Sequence, residues 1–106
     1  MAHNIYHDLP TGLKNERFTE LLNTPGVRIE TIVSQGHTTP KDEWYDQESD
    51  EWVLVLKGAA QITLQGCNTC IDLKPGDHLH IPAHIKHRVS WSSDTEPTLW
   101  LAVHFK

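Results

Sequence analysis

Apolar residues along this chain either alternate with polar ones or come in short runs, and Gly and Pro interrupt them every few positions. Residues 27–33 place Val27, Ile29 and Val33 on one phase and Arg28, Glu30 and Ile32 on the other, the period of two that suits a strand. Residues 51–56 (EWVLVL) are apolar on both faces after Glu51, which predicts a strand covered on both sides, one face toward a barrel interior. Residues 60–64 and 70–73 flank Gln65-Gly66-Cys67-Asn68-Thr69, a polar segment with the Gly and Asn of a hairpin connection. Shorter strands follow at 78–81 and 87–91, separated by turns at Pro75-Gly76-Asp77 and 82–86. After the polar loop 92–97, residues 99–105 form a last strand. Residues 15–22 read differently: Phe18, Leu21 and Leu22 share one helical face, predicting a short helix that Thr24-Pro25-Gly26 ends.

Many short strands with no β-α-β alternation predict an all-β sandwich or barrel. A chain of 106 residues suits one domain, with residues 1–26 as an arm and short helix and residues 27–106 as the barrel. Trp52, Leu54 and Leu56 then make the outer face of a strand apolar. Either the N-terminal segment or a second copy of the chain must cover it.

Composition narrows the partners. The hydrophobic share of 38% and the charged share of 22% belong to an ordinary globular chain with a packed core. A formal charge of -5 and scattered lysines and arginines disfavour nucleic acid and anionic membrane surfaces. No apolar run approaches the roughly 20 residues that span a bilayer, and the opening MAHNIYHDLP lacks a signal-peptide layout, so the expected address is the cytoplasm. The two cysteines agree with a reducing compartment, and Cys67-x-x-Cys70 flanks a hairpin tip rather than opening a helix as a redox motif would. Eight histidines are the oddity, because imidazole is the commonest neutral metal ligand and a proton shuttle near neutral pH.

Two spaced motifs organise the second half: Glu51-x6-Gly58, and Gly76-x5-Pro82-x4-His87. Together they resemble the cupin family, whose first motif runs glycine, His-x-His, Glu and Gly, and whose second runs G-x5-P-x-G-x2-H-x3-N. The likeness covers roughly residues 36–105 and implies a jelly-roll β-barrel that brings Glu51 near His87 inside its mouth. It also implies a metal centre, oxygenase or isomerase chemistry, and homodimers. Tyr45 and Gln47 stand in the two histidine places of the first motif, or Trp44 and Asp46 at the alternative spacing. His84 stands at the usual glycine of the second motif and Trp91 at its asparagine.

A divalent ion in such a mouth needs at least three convergent donors. Glu51 and His87 supply two, and Gln47 is the preferred third through its amide oxygen, with Asp46 and Tyr45 as alternatives; the ion would be Fe, Mn, Ni or Zn. The competing reading has Glu51 and His87 simply hydrogen-bonding in a polar cavity. His80 is a candidate to line that cavity, and it shares a face of its strand with His78. On the last strand Trp100, Ala102 and His104 face one way and Leu99, Leu101, Val103 and Phe105 the other. His104 reaches the site if the first row is the inner one. Trp91 and Trp100 are candidates for an aromatic pocket wall, and Tyr45 or His80 for a proton donor or acceptor. Two functions follow: a metal-dependent enzyme acting on a small molecule, or a metal-free module or regulatory dimer that binds one.

Overall fold

The computed structural model describes residues 2–7, 9–66 and 70–106. Cys67, and with it the tip of the predicted 65–69 connection, lies outside the described residues. The described residues form eight strands: β1 Arg17–Thr24, β2 Val27–Ser34, β3 Asp50–Lys57, β4 Ala60–Leu64, β5 Cys70–Leu73, β6 His78–Ile81, β7 His87–Ser92 and β8 Thr98–Phe105. They form a five-stranded sheet in the order β1-β2-β8-β3-β6 and a three-stranded sheet in the order β5-β4-β7, and every described pairing is antiparallel.

The two sheets close on one apolar core. Val53, Val55, Ile81, Trp100 and Ala102 come from the larger sheet and Ala60, Ile62 and Leu73 from the smaller. The inner row of β8 is therefore Trp100, Ala102 and His104, all buried. Gly58 follows β3 at φ 87°, and a Cβ there would overlap the Thr98 side chain and backbone, so this motif position admits only glycine.

One predicted element is absent. Residues 15–22 do not form a helix; Arg17–Thr24 is a strand paired along β2, with a bulge between Glu20 and Leu22. Phe18 sits opposite Ile32 and Leu22 opposite Ile29, so the three apolar side chains do not share a face. Isolated helices shorter than about 12–15 residues are marginal in water, whereas the free edge of β2 offers a full ladder of hydrogen bonds. Pro25-Gly26, with Gly26 at φ 87°, joins the paired Thr24 and Val27 as a two-residue hairpin loop rather than stopping a helix.

The outer face of the larger sheet carries Trp52, Leu54, Leu101, Val103 and Phe105, all half-buried. The N-terminal arm, through Ile5, Leu9 and Pro10, walls a groove against this face at Thr31, Val33 and Leu99. That cover explains why these three outward residues are buried.

Candidate functional site

The inner faces of β1, β2, β3 and β8, together with β7 and the segment before β3, enclose a cavity of about 160 Å³. Its walls include Phe18, Ile32, Val53, Ile62, Ile81, Val89 and Trp100, and its polar lining includes Glu16, Arg28, Glu30, Tyr45, Gln47, Glu51, His87 and His104. Strand alternation puts these groups together. Glu51 is the first inward residue of β3 and pairs with His104 of β8, which in turn pairs with Arg28 of β2. His87 opens β7 and is bridged through its backbone to Tyr45: the Tyr45 N–H donates to the His87 carbonyl at 2.8 Å and the His87 N–H to the Tyr45 carbonyl at 3.1 Å. The two rings stack with centroids 5.6 Å apart.

The polar groups form a chain across the cavity. Arg28 donates to Glu30 Oε2 at 2.8 Å, and His104 Nε2 donates to Glu30 Oε1 at 3.3 Å. His104 Nε2 lies 3.9 Å from Glu51 Oε2, and Glu51 Oε1 lies 3.3 Å from His87 Nε2. This last approach is an ion-pair distance off hydrogen-bonding geometry, so Glu51 Oε1 is buried without a hydrogen bond. His87 Nδ1 is 3.0 Å from the Ile85 carbonyl, an acceptor only, so Nδ1 carries a proton and Nε2 is the nitrogen presented to Glu51. Burial pulls the His87 pKa down, but Glu51 and the Ile85 carbonyl outweigh it and hold it above its ordinary value. The bond from His104 lowers the Glu30 pKa against the opposing effect of burial, with Arg28 adding to the lowering, so Glu30 is an anion. Burial raises the Tyr45 pKa, and the Glu16 carboxylate adds to it, so the phenol keeps its proton.

Further buried polar atoms in this lining lack partners: Gln47 Oε1, Trp100 Nε1 and His104 Nδ1. The turn between β6 and β7 holds the two ends of the site in register. His84 adopts φ 64° at the place where cupins usually carry glycine; its N–H donates to the Gln47 carbonyl at 2.8 Å, and its Nδ1 lies 2.9 Å from Asp46 Oδ1.

Of the residues singled out in the sequence, Tyr45, Gln47, Glu51, His87, Trp100 and His104 line the cavity, and His80 and Trp91 do not. Ile81 is the buried, inward residue of β6, so His80 points out, pairs with Asp50 at 2.9 Å and stacks on Phe105. Trp91 is exposed because the register shifts between Gln61 and Ile62: Val89 pairs with Ile62, Trp91 pairs with Gln61, and the intervening Ser90 takes up the phase. Arg28, Glu30, Glu16 and Phe18 were not anticipated. The phase of Phe18 on β1 and of Arg28 and Glu30 on β2 becomes the inner one only once β2 is known to pair with β8, which no local pattern reveals, and Glu16 stands just before β1.

The model of the cupin domain family matches residues 30–104, most of the chain. The chain belongs to the cupin family. A search of curated proteins finds no match to this cupin. Among solved structures it is similar to a Ralstonia eutropha JMP134 protein named as a candidate mannose-6-phosphate isomerase, with 44% identity over 100% of this chain and 98% of that one and a TM-score of 0.97. A cupin superfamily protein from Desulfitobacterium hafniense DCB-2 shares 22% identity over 92% of this cupin and 83% of its own chain, with a TM-score of 0.75. A DMSP lyase from Ruegeria pomeroyi DSS-3 shares 17% over 86% and 47%, with a TM-score of 0.72. The last two likenesses concern the fold alone.

Proposed function

We propose that the mouth of this cupin barrel is a small-molecule site in which Glu51, His87 and Gln47 hold a divalent cation, Fe, Mn, Ni or Zn. The observation that carries this reading is the pair of buried, unpartnered oxygens, Gln47 Oε1 and Glu51 Oε1, in one lining with a histidine whose Nε2 is turned to Glu51 by the Ile85 carbonyl. An imidazole with one carboxylate and one amide is a sparse but workable donor set, harder than a three-histidine one. Such an ion supplies Lewis acidity toward a carbonyl or hydroxyl oxygen. The chain's own residues do the rest: Glu51 and His87 are taken up in holding the cation, Tyr45 stands at the opening as a neutral phenol that can donate or accept a proton, and Trp100 and His104 contact the bound molecule. Isomerase chemistry with proton transfer suits this set, and isomerase is the activity in the name of the Ralstonia relative. The test is a Co²⁺ titration followed by visible absorption, in wild type and in Gln47→Ala, Glu51→Ala and His87→Ala. Saturable binding lost in all three supports the reading, and binding unaffected by these changes refutes it.

A metal-free binding module is the second reading. It is favoured by one observation: among the described residues no group of three or more His, Cys, Asp and Glu side chains is gathered to hold a metal ion. In either case we propose that two copies pair through the outer face of the larger sheet. Trp52, Leu54, Leu101, Val103 and Phe105 make that face apolar, and Leu21 and Leu22 of β1 are exposed. Among the described residues no helix is long and apolar enough to cross a membrane.

A further inference from the structure

The lining of the cavity constrains what enters it. Phosphate recognition needs an uncommitted cation, a helix N-terminus or a nest of backbone N–H groups. None of the described residues forms a helix. The lining has one arginine and no lysine, and Arg28 is already committed to Glu30 at 2.8 Å. Against it stand three carboxylates, Glu16, Glu30 and Glu51. In the cation-free cavity Arg28 is taken up by Glu30 and His87 by Glu51, so a dianionic group would meet no uncommitted cation and would face the Glu16 carboxylate.

The unpartnered atoms describe the opposite kind of ligand. In the cation-free cavity Gln47 Oε1 is a buried acceptor without a donor, and Trp100 Nε1 is a buried donor without an acceptor. His104 Nε2 donates to Glu30, and its Nδ1 is a further buried polar atom without a partner. A hydroxyl group both donates and accepts, and several on one small skeleton would satisfy such a mixture. The apolar and aromatic walls of Phe18, Ile32, Trp100 and Tyr45 suit the C–H faces of the same skeleton. At about 160 Å³ the space is below the roughly 300–1,000 Å³ of drug-sized pockets, which sets the ligand at monosaccharide size or smaller.

We infer that this cavity binds a small uncharged polyhydroxy or hydroxycarbonyl compound and discriminates against its phosphate ester. The inference rests on the proposal that the barrel mouth is the functional site, and it departs from the sugar phosphate in the relative's name.

The test is NMR titration of the full chain, following the Trp100 indole N–H, with D-mannose, D-fructose and glyceraldehyde against two hexose 6-phosphates and inorganic phosphate, in chelator-treated and in Zn²⁺-loaded protein. The expected result is a saturable shift with at least one neutral compound, binding at least 10-fold weaker for its phosphate ester, and no shift with inorganic phosphate. Trp100→Phe, followed by ligand-detected saturation transfer, weakens the neutral compound about 2- to 10-fold, the loss of one hydrogen bond, whereas Trp91→Phe leaves it unchanged. Tighter binding of the phosphate esters, or a Trp100 shift with inorganic phosphate, in chelator-treated protein overturns the inference. So does a lack of response to every neutral compound in protein that still takes up cation, an outcome that leaves the cation site standing. Neutral-compound binding in a protein that takes up no cation supports the inference while removing the cation from the site.

Discussion

Replacing Glu51 with glutamine keeps the shape of the site and removes its charge, and the structure gives the direction of the response at each pH. Three influences act on His87: burial, the largest, lowers its pKa, and Glu51 and the Ile85 carbonyl raise it. With Glu51 neutral, burial opposes the carbonyl alone and wins, so His87 in Glu51→Gln titrates below its ordinary value of 6.5. In the wild type the raised pKa contributes stability that is fully present below pH 6.5 and is lost as pH rises through the folded value. In the variant the sign reverses, because a buried neutral imidazole resists protonation. Both side chains are about nine-tenths buried, so solvent screening takes little from the interaction. Removing one partner of a buried pair while the other stays charged costs about 3–5 kcal/mol. Where His87 can release its proton, no charge is left without its partner and the cost falls to that of an altered polar contact, about 1 kcal/mol or less. Urea unfolding of chelator-treated protein should therefore show Glu51→Gln weaker than wild type by about 1 kcal/mol or less at pH 8 and by a larger amount, bounded by about 3–5 kcal/mol, at pH 5.5, with the His87 ring titration followed by NMR. A penalty independent of pH, or His87 titrating above 6.5 in the variant, would refute the argument.

Other outcomes follow from the same geometry. Gly58→Ala combines a left-handed backbone with overlap onto Thr98, so it should cost roughly 3 kcal/mol or more and lower Tm by roughly 10 °C or more in a thermal melt. Glu30→Gln removes a carboxylate whose lowered pKa contributes stability above 4.5 and loses it as pH falls, so acid unfolding followed by circular dichroism should show a shallower decline between pH 5 and 3. His80→Ala touches only an exposed ion pair and a ring stack outside the cavity, and should leave cation and ligand titrations unchanged. Leu54→Glu or Leu101→Glu puts a charge on the outer sheet face, and light scattering after size exclusion should report monomer where the wild type reports dimer.

Much of this molecule is legible in its sequence because strands announce themselves locally. The strands predicted at 60–64, 70–73 and 78–81 coincide with β4, β5 and β6, and β2, β3, β7 and β8 differ from expectation by a residue at one or both ends. Alternation also narrowed the inner row of β8 to two choices, and burial selected the row with His104. Two kinds of information were not local. Whether residues 17–24 fold as helix or strand depends on the open edge of β2, and Pro25-Gly26 was the available clue to a hairpin. Which phase of a strand faces inward depends on its neighbour and on bulges: Glu30 gained its role from pairing beside His104, and Trp91 was turned outward by the Gln61/Ile62 shift. Glu51 and His87 escaped this difficulty because the cupin spacing ties each to a turn, Gly58 for one and Pro82 for the other.

Elemental mass spectrometry of untagged protein decides whether Gln47, Glu51 and His87 hold a cation in the barrel mouth. Near-stoichiometric Fe, Mn, Ni or Zn is expected in the wild type, with loss of that metal in Glu51→Ala and His87→Ala prepared identically. Metal-free wild type that takes up none of these ions on addition, or variants that keep the full complement, would contradict it.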